Sequence, residues 1–309
     1  MKPIAVVGPT ASGKSALGVA LAHRFAGEII NVDSMQLYRG MDIGTAKLTV
    51  AEREGIPHHM LDVWDVTETA SVARYQHDAL VCAEDIIARG KTPILVGGSM
   101  LYLQSLVDDW QFPPTDPSVR DKYEKQLAEI GLAALHAELA AVDPAAAAII
   151  EDNDPRRTVR ALEVIELTGQ PFAASQPPIN KPPRWGLTLL GLRTESQWLN
   201  PRIERRTTMM FERGLVAEVD ALRSQGLVSD STAGRAIGYA QVLAAQEGEL
   251  SWEEAVERTI TGTRRYVRRQ RAWFNRDKRT HWLDAAGDTL SQALQVLENA
   301  PAAIDSDRD

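Results

Sequence analysis

Cysteine is almost absent from this chain: there is one, Cys82, in 309 residues. A lone thiol cannot close an intrachain disulfide, and no Cys or His cluster has zinc-site spacing. A disulfide-stapled secreted scaffold is therefore excluded, and a reducing cytoplasm is the expected compartment. Long apolar runs are missing too. The one near the N-terminus, Ile4 to Val7, is too short for a signal peptide or a membrane span, so no membrane partner is expected. An overall basic excess is also lacking, since 34 Lys and Arg face 42 Asp and Glu for a formal net charge of −8. That balance speaks weakly against nucleic acid, which is gripped through its phosphates, but the local distribution of charge matters more than the total.

What is present is a sizeable apolar share, 44%, enough for the core of one large domain or of a domain with an insertion. Pro3 to Val7 reads as a buried strand, Ala16 to Phe25 as a helix and Glu28 to Val32 as a second strand, the βαβ order of a parallel sheet. Val72 to Ala88 has Tyr75, Ala79 and Ala83 at helical spacing, and Thr92 to Val96 is a further strand ending in Gly97-Gly98.

The composition changes at Phe112-Pro113-Pro114-Thr115-Asp116-Pro117, and a second proline-rich stretch runs from Gln176 to Pro183. Only helices are expected between them. Asp116 caps one, with Pro117 in its first turn, a stripe of Val119, Tyr123, Leu127 and Ile130, and Gly131 as its stop. Leu132, Leu135, Leu139 and Val142 pattern a second. Asp154 and Pro155 open a third, which turns Val159, Leu162 and Ile165 inward and ends at Gly169. The expected fold class is thus α/β: a P-loop NTPase-like parallel sheet flanked by helices, from residues 1–112 and 184–309, with an all-helical insertion domain at 113–183. Leu187 to Leu192 returns as a strand, and Asn200-Pro201 opens a long helix bearing Arg202, Arg205, Arg206 and Arg213. The most basic segment is Thr263 to Arg279, in which Arg264, Arg265, Arg268, Arg269 and Arg271 interleave with Tyr266, Trp273 and Phe274. Ala300 to Asp309 reads as a frayed polar tail.

Gly8-Pro9-Thr10-Ala11-Ser12-Gly13-Lys14-Ser15 fits G-x-x-x-x-G-K-[ST] directly after a strand and at the opening of a helix. Glycines let such a loop curl so that successive N–H groups meet one phosphate, and the helix N-terminus adds partial positive charge. Lys14 would neutralise terminal oxygens, and the Ser15 hydroxyl would sit on a Mg²⁺ that bridges them. Whether the phosphate is ATP, and whether it is transferred or simply leaves, stays open at this point. Asp33, at the C-terminal end of the second strand, stands where ligands bind in open α/β sheets, as a turn cap, a Mg²⁺ ligand or a general base. Ser99 ends another strand on the same edge and could hydrogen-bond whatever sits beside Asp33. Adjacent His58 and His59 are expected in a loop, solvated or packed, without chemistry. Arg264, Arg268 and Arg271 share one helical side; unbalanced arginines among aromatics suit an RNA backbone with stackable bases, although a solvated face is the bland alternative. Arg156, Arg157 and Arg160 pose the same choice between phosphate contact and surface charge.

These residues in this order resemble the tRNA dimethylallyltransferases, also called tRNA isopentenyltransferases, of the bacterial type without a zinc finger. The resemblance rests on the P-loop, on Val32-Asp33-Ser34-Met35-Gln36-Leu37-Tyr38 through Gly44-Thr45-Ala46-Lys47, on Pro57-His58-His59-Met60-Leu61-Asp62, and on Gly97-Gly98-Ser99-Met100-Leu101-Tyr102. It continues through Asn153-Asp154-Pro155-Arg156-Arg157, Ala236-Ile237-Gly238-Tyr239 and Arg269-Gln270-Arg271-Ala272-Trp273-Phe274. It implies transfer of a dimethylallyl group from dimethylallyl diphosphate to the exocyclic amine of the adenosine 3′ of the anticodon, with Mg²⁺ and release of diphosphate. It assigns Asp33 as the base, Arg206 and the P-loop to the leaving group, and Ser99 to the catalytic set. It also implies tRNA contacts by Asp33, Ser34, Met35, Gln36, Ser99, Arg120, Arg156, Arg157, Arg160, Arg235 and Gly238. The helical insertion would embrace the anticodon stem-loop, and the enzyme would act as a monomer. Ser99 stands where the family commonly has Thr, which keeps the hydroxyl and drops a methyl that restricts its rotamer. A small-molecule or nucleoside kinase and an RNA-binding nucleotide switch are the competing readings of the same loop.

Overall fold

β-Branched and leucine-rich stretches dictate the sheet. In β1 (Ile4–Val7), β2 (Gly27–Val32) and β4 (Thr92–Gly97) every residue is buried, as strands covered on both faces must be. The computed structural model describes residues 2–172 and 181–299. Most of the proline-rich stretch 176–183 and the whole tail 300–309 lie outside the described residues.

With β3 (His58–His59), β5 (Thr188–Arg193) and β6 (Thr280–Asp284) the strands form one six-stranded sheet in the order β3-β2-β4-β1-β5-β6, each pair parallel. The expected α/β class is what the chain adopts. α1 (Lys14–Arg24) and α12 (Thr289–Asn299) belong to one apolar cluster, with Leu17, Leu21, Ile94 and Ala293. α2 (Val72–Ala88) and α3 (Met100–Val107) belong to the larger one, with Tyr75, Ala79, Leu103 and Leu106. The chain divides into two compact units, Met1–Asp109 with Asn180–Asp309, and Trp110–Ile179.

The second unit is helical: α4 (Pro117–Ile130), α5 (Leu132–Val142), α6 (Pro144–Ile149) and α7 (Pro155–Thr168). Asp116 caps α4 by accepting from Ser118 N at 2.8 Å, and Asp154 caps α7 by accepting from Arg157 N at 3.0 Å. Leu135, Leu139, Val159 and Leu162 form its core. Ile130 and Val142, expected to face inward, are 42% and 58% exposed, because each sits at its helix's last turn, past the neighbour it would pack on. α6, headed by Asp143 and Pro144, was not anticipated; six residues are too few for a periodic pattern.

The remaining helices of the first unit are α8 (Ser196–Glu212), α9 (Leu215–Ser224), α10 (Tyr239–Gln246) and α11 (Trp252–Phe274). α8 starts five residues before Pro201, which therefore lies within the helix instead of opening it. Burial of Leu199 and Ile203 against Val267 outweighs the one main-chain hydrogen bond that Pro201 forgoes. α11 likewise begins well upstream of the arginine run, at a capping box in which Ser251 Oγ accepts from Glu254 N and Glu254 accepts from Ser251 N. His58 and His59 are an edge strand and not a loop; His59 Nε2 lies 2.7 Å from Glu28 Oε2, which Arg89 also grips. Their role is packing. Among the described residues no helix is long and apolar enough to cross a membrane.

Candidate active site

The sheet register brings three loops level. Val7, the last residue of β1, pairs with Gly97 of β4, and Gly97 pairs with Val32 of β2. The P-loop, Gly98-Ser99 and Asp33 therefore leave the same sheet edge side by side. With neighbouring strands about 4.8 Å apart, roughly 10 Å separates the root of the P-loop from that of Asp33. Gly97 is required for this closeness: a Cβ there would lie 2.2 Å from Val32 O.

Ser12 Oγ in the P-loop is buried with no hydrogen-bond partner, and Ala11 (φ 63°) is held left-handed, a strain of about 1 kcal/mol outside glycine. Side chains from the chain's far end hold the loop in place. Arg202 Nε donates to Ala11 O at 3.1 Å while its guanidinium stacks on Trp198, and Gln270 Oε1 accepts from Thr10 N at 3.0 Å. Lys14 Nζ donates to Pro9 O at 2.7 Å. Burial, and then the nearby Arg206 guanidinium, push the Lys14 ammonium down to about 7, against the pull of Asp33. Arg206 is itself lowered by burial and raised by Asp33. Lys14 and Arg206 thus set two partly buried basic groups near one carboxylate.

Asp33 Oδ1 accepts from Met35 N at 3.0 Å, which orients the carboxylate, and Asn31 Oδ1 accepts from Asp33 N at 3.0 Å. Ser99 Oγ accepts from Ser34 N at 2.9 Å and lies 3.2 Å from Ser34 Oγ, so its hydroxyl is engaged with the turn that follows Asp33. Gln36 Nε2 and Arg206 Nη2 both donate to Thr45 O, at 3.1 and 3.2 Å. That joint carbonyl ties the Asp33–Gln36 turn to the arginine. The loop bearing Thr45 is pinned in turn by Glu218, which accepts from Asp42, Ile43 and Gly44 N at 3.1, 2.7 and 3.2 Å and from Tyr239 Oη at 2.5 Å.

The other basic residues divide by what they already hold. Arg264 pairs with Glu204, and Arg271 donates to Ser196 Oγ and Thr194 Oγ1, both at 2.8 Å, whereas Arg268 is exposed on the same helix. Arg235 is exposed, and Gly238, with φ 96°, heads α10. In the helical unit Arg120 and Arg160 grip Glu163, each at 2.8–2.9 Å. Burial pushes that carboxyl up, but these guanidinium bonds hold it down at about 2. Arg156 and Arg157 are exposed. Sequence reasoning missed Gln270, Arg202, Thr45 and Glu218 as parts of the site. A signal for Gln270 existed: it shares the inward face of α11 with Val267 and Phe274, and a polar side chain at an apolar position needs partners.

The IPP transferase family model matches residues 36–277. The chain belongs to the tRNA dimethylallyltransferase, or IPP transferase, family. It is 74% identical over 295 residues to the tRNA dimethylallyltransferase of Corynebacterium glutamicum strain R, covering 96% of this chain and 98% of that one. The crystal structure of the tRNA isopentenylpyrophosphate transferase of Bacillus halodurans is similar at 38% identity and TM-score 0.70, covering 96% and 94% of the two chains. A eukaryotic dimethylallyltransferase acting on tRNA is similar at 29% identity and TM-score 0.82, covering 98% and 81%. The P-loop and Asp33 precede the span matched by the family model, so this family's sheet edge includes residues outside it.

Proposed function

We propose that this transferase moves a dimethylallyl group from dimethylallyl diphosphate to the exocyclic amine of the adenosine 3′ of the anticodon in tRNA. The observation that carries the proposal is the pairing, across one level sheet edge, of a two-cation phosphate cradle with an oriented carboxylate. A kinase can use the same pairing; membership of the IPP transferase family and 74% identity to a tRNA dimethylallyltransferase favour the allylic donor.

The adenine amine is a poor nucleophile because its lone pair is delocalised into the ring, so its proton must leave as the C–N bond forms. Asp33 takes that proton. The allylic C–O bond breaks, its electron pair stays on the diphosphate oxygen, and the charge growing there meets the P-loop amides, Lys14 and Arg206. Transition-state charge is thereby stabilised more than ground-state charge. The donor set suits Mg²⁺ carried in with the diphosphate: the described residues hold no cluster of three His, Cys, Asp or Glu, and Mg²⁺ commonly takes a protein oxygen or two plus phosphates and water. When bound at Ser15 it would neutralise diphosphate charge. The target base must leave the loop stack to reach Asp33, and Ser34, Met35 and Gln36 form the turn that meets it. Ser99 fixes that turn through Ser34 N. Arg156, Arg157, Arg235 and Arg268, all exposed, are the contacts offered to tRNA phosphates, and the helical unit takes the anticodon stem-loop.

Purified protein with Mg²⁺ and labelled dimethylallyl diphosphate is expected to label unmodified tRNA carrying an adenosine 3′ of its anticodon. Label transfer from the γ-phosphate of ATP instead, with none from the allylic donor, overturns the assignment. For Arg268→Ala the expected result is weaker tRNA binding, with the salt slope of log K shallower by about one and the donor affinity unchanged. An unchanged slope in a titration from low to moderate salt removes Arg268 from the RNA face.

A further inference from the structure

Gln270 is 1% exposed on the face of α11 that also buries Val267 and Phe274. Its amide oxygen and nitrogen each hold a backbone group at a strand end. Oε1 accepts from Thr10 N at 3.0 Å, and Nε2 donates to Gly98 O at 2.9 Å. The orientation of the amide is not arbitrary, since Thr10 N–H can only donate and Gly98 C=O can only accept. Tyr266, one turn earlier on α11, brings its hydroxyl to the same Gly98 carbonyl at 3.3 Å. Gly98 itself leaves the room: a Cβ there would sit 2.3 Å from Gln270 Nε2 and 3.1 Å from Gly8 O.

A continuous hydrogen-bonded path results. It runs from Thr10 in the phosphate loop through the Gln270 amide to Gly98. From its neighbour Ser99 it passes to Ser34 N, next to Asp33. Besides the sheet ladder, in which Gly97 pairs with both Val7 and Val32, and the bond from Ser99 N to Val32 O, this path and the Thr45 carbonyl couple the leaving-group cradle to the carboxylate's turn. Displacement of one loop by an ångström relative to the other would spoil in-line departure and proton removal together.

We propose that Gln270 is a positioning residue that sets the separation between the diphosphate cradle and the Asp33 turn. This rests on the reading of Asp33 and the P-loop given above. Gln270 touches neither reacting atom; it acts by holding Thr10 and Gly98.

Two variants test it. Gln270→Leu removes both bonds at similar bulk, and kcat is expected to fall roughly 30- to 100-fold while tRNA Kd stays within about threefold, since the exposed face of α11 is untouched. Gln270→Glu gives a sharper readout. As a carboxylate it can accept from Thr10 N–H but cannot donate to Gly98 O, whereas protonated it does both, and burial raises its pKa. Activity of Gln270→Glu should therefore rise about tenfold, relative to wild type, as pH falls from 8 to 6. A residue that merely fills space would not produce that rise. A folded Gln270→Leu within threefold of wild-type kcat, or a Gln270→Glu whose pH profile parallels wild type, overturns the proposal. Should Gln270→Leu fail to fold, the Gln270→Glu profile decides alone. If wild type transfers no prenyl group at all, the reading of the site fails. Gln270 is then judged in Gln270→Leu by titrating inorganic diphosphate and by Thr10 amide hydrogen exchange: binding must weaken and exchange must quicken, and unchanged values dismiss it.

Discussion

Asp33→Asn is expected to lower kcat by about 10³-fold while leaving the Kd for tRNA and for the allylic donor within about threefold. Asparagine Oδ1 can accept from Met35 N as the aspartate does, so the turn keeps its shape and only the proton acceptor is lost. One complication sets the measuring conditions. Asp33 is the carboxylate that raises Lys14, so removing it lets the Lys14 ammonium drop further below about 7 and weakens the cradle at alkaline pH. Donor affinity should therefore be compared well below pH 7, where the difference in Lys14 protonation between the two proteins shrinks. Single-turnover transfer with pre-bound tRNA and donor isolates the chemical step. A variant rate within tenfold of wild type would move the base elsewhere.

For Lys14→Met, donor kcat/KM is expected to fall about 10²- to 10³-fold, the usual loss when one preorganised donor to a developing oxyanion is removed, or about 3 to 4 kcal/mol. Its pH signature is separate. In the free protein burial and Arg206 hold Lys14 at about 7, so above that pH the ammonium is mostly deprotonated. A bound diphosphate favours the charged form and pulls the proton back. Binding above pH 7 is thus linked to proton uptake, and the affinity of wild type should decline with rising pH by up to tenfold per unit relative to Lys14→Met. Calorimetric titration of inorganic diphosphate in buffers of different ionisation enthalpy reads the uptake directly. Equal proton uptake by the two proteins would show that Lys14 is already charged before the ligand arrives.

Lys14 was legible as a candidate because its signal is local, whereas the role of Asp33 came from the family resemblance and not from its neighbours. Gly8 to Ser15 and its flanking strand and helix lie within one short segment, and the requirement for curled backbone and an adjacent cation is written in consecutive letters. The caps Asp116 and Asp154 announced α4 and α7 for the same reason. Ser99 was recognisable as a neighbour of Asp33 only because both end strands, and its bond to Ser34 N follows from β4 lying beside β2. Pro201 misled because a proline is a local signal that packing of Leu199 and Ile203 overrode. The polar letter of Gln270 on an apolar helix face was legible, but its partners, like those of Glu218, were not. The first reaches a backbone amide 260 positions away, and the second caps a loop more than 170 positions earlier.

The order of residues by itself determined the α/β class, the P-loop motif, the starts of α4 and α7 at Asp116 and Asp154, and the family. Each depends on neighbours along the chain or on patterns that survive as text. The tertiary structure alone decided which arginines are spent on internal partners, as Arg264 and Arg120 are, and which stay exposed, as Arg268 and Arg156 do. It alone decided that burial and a second basic group lower Lys14 to about 7, and that one glutamine amide spans two strand ends. Desolvation and long-range hydrogen bonding are properties of proximity in space, and proximity exists only once the sheet has assembled.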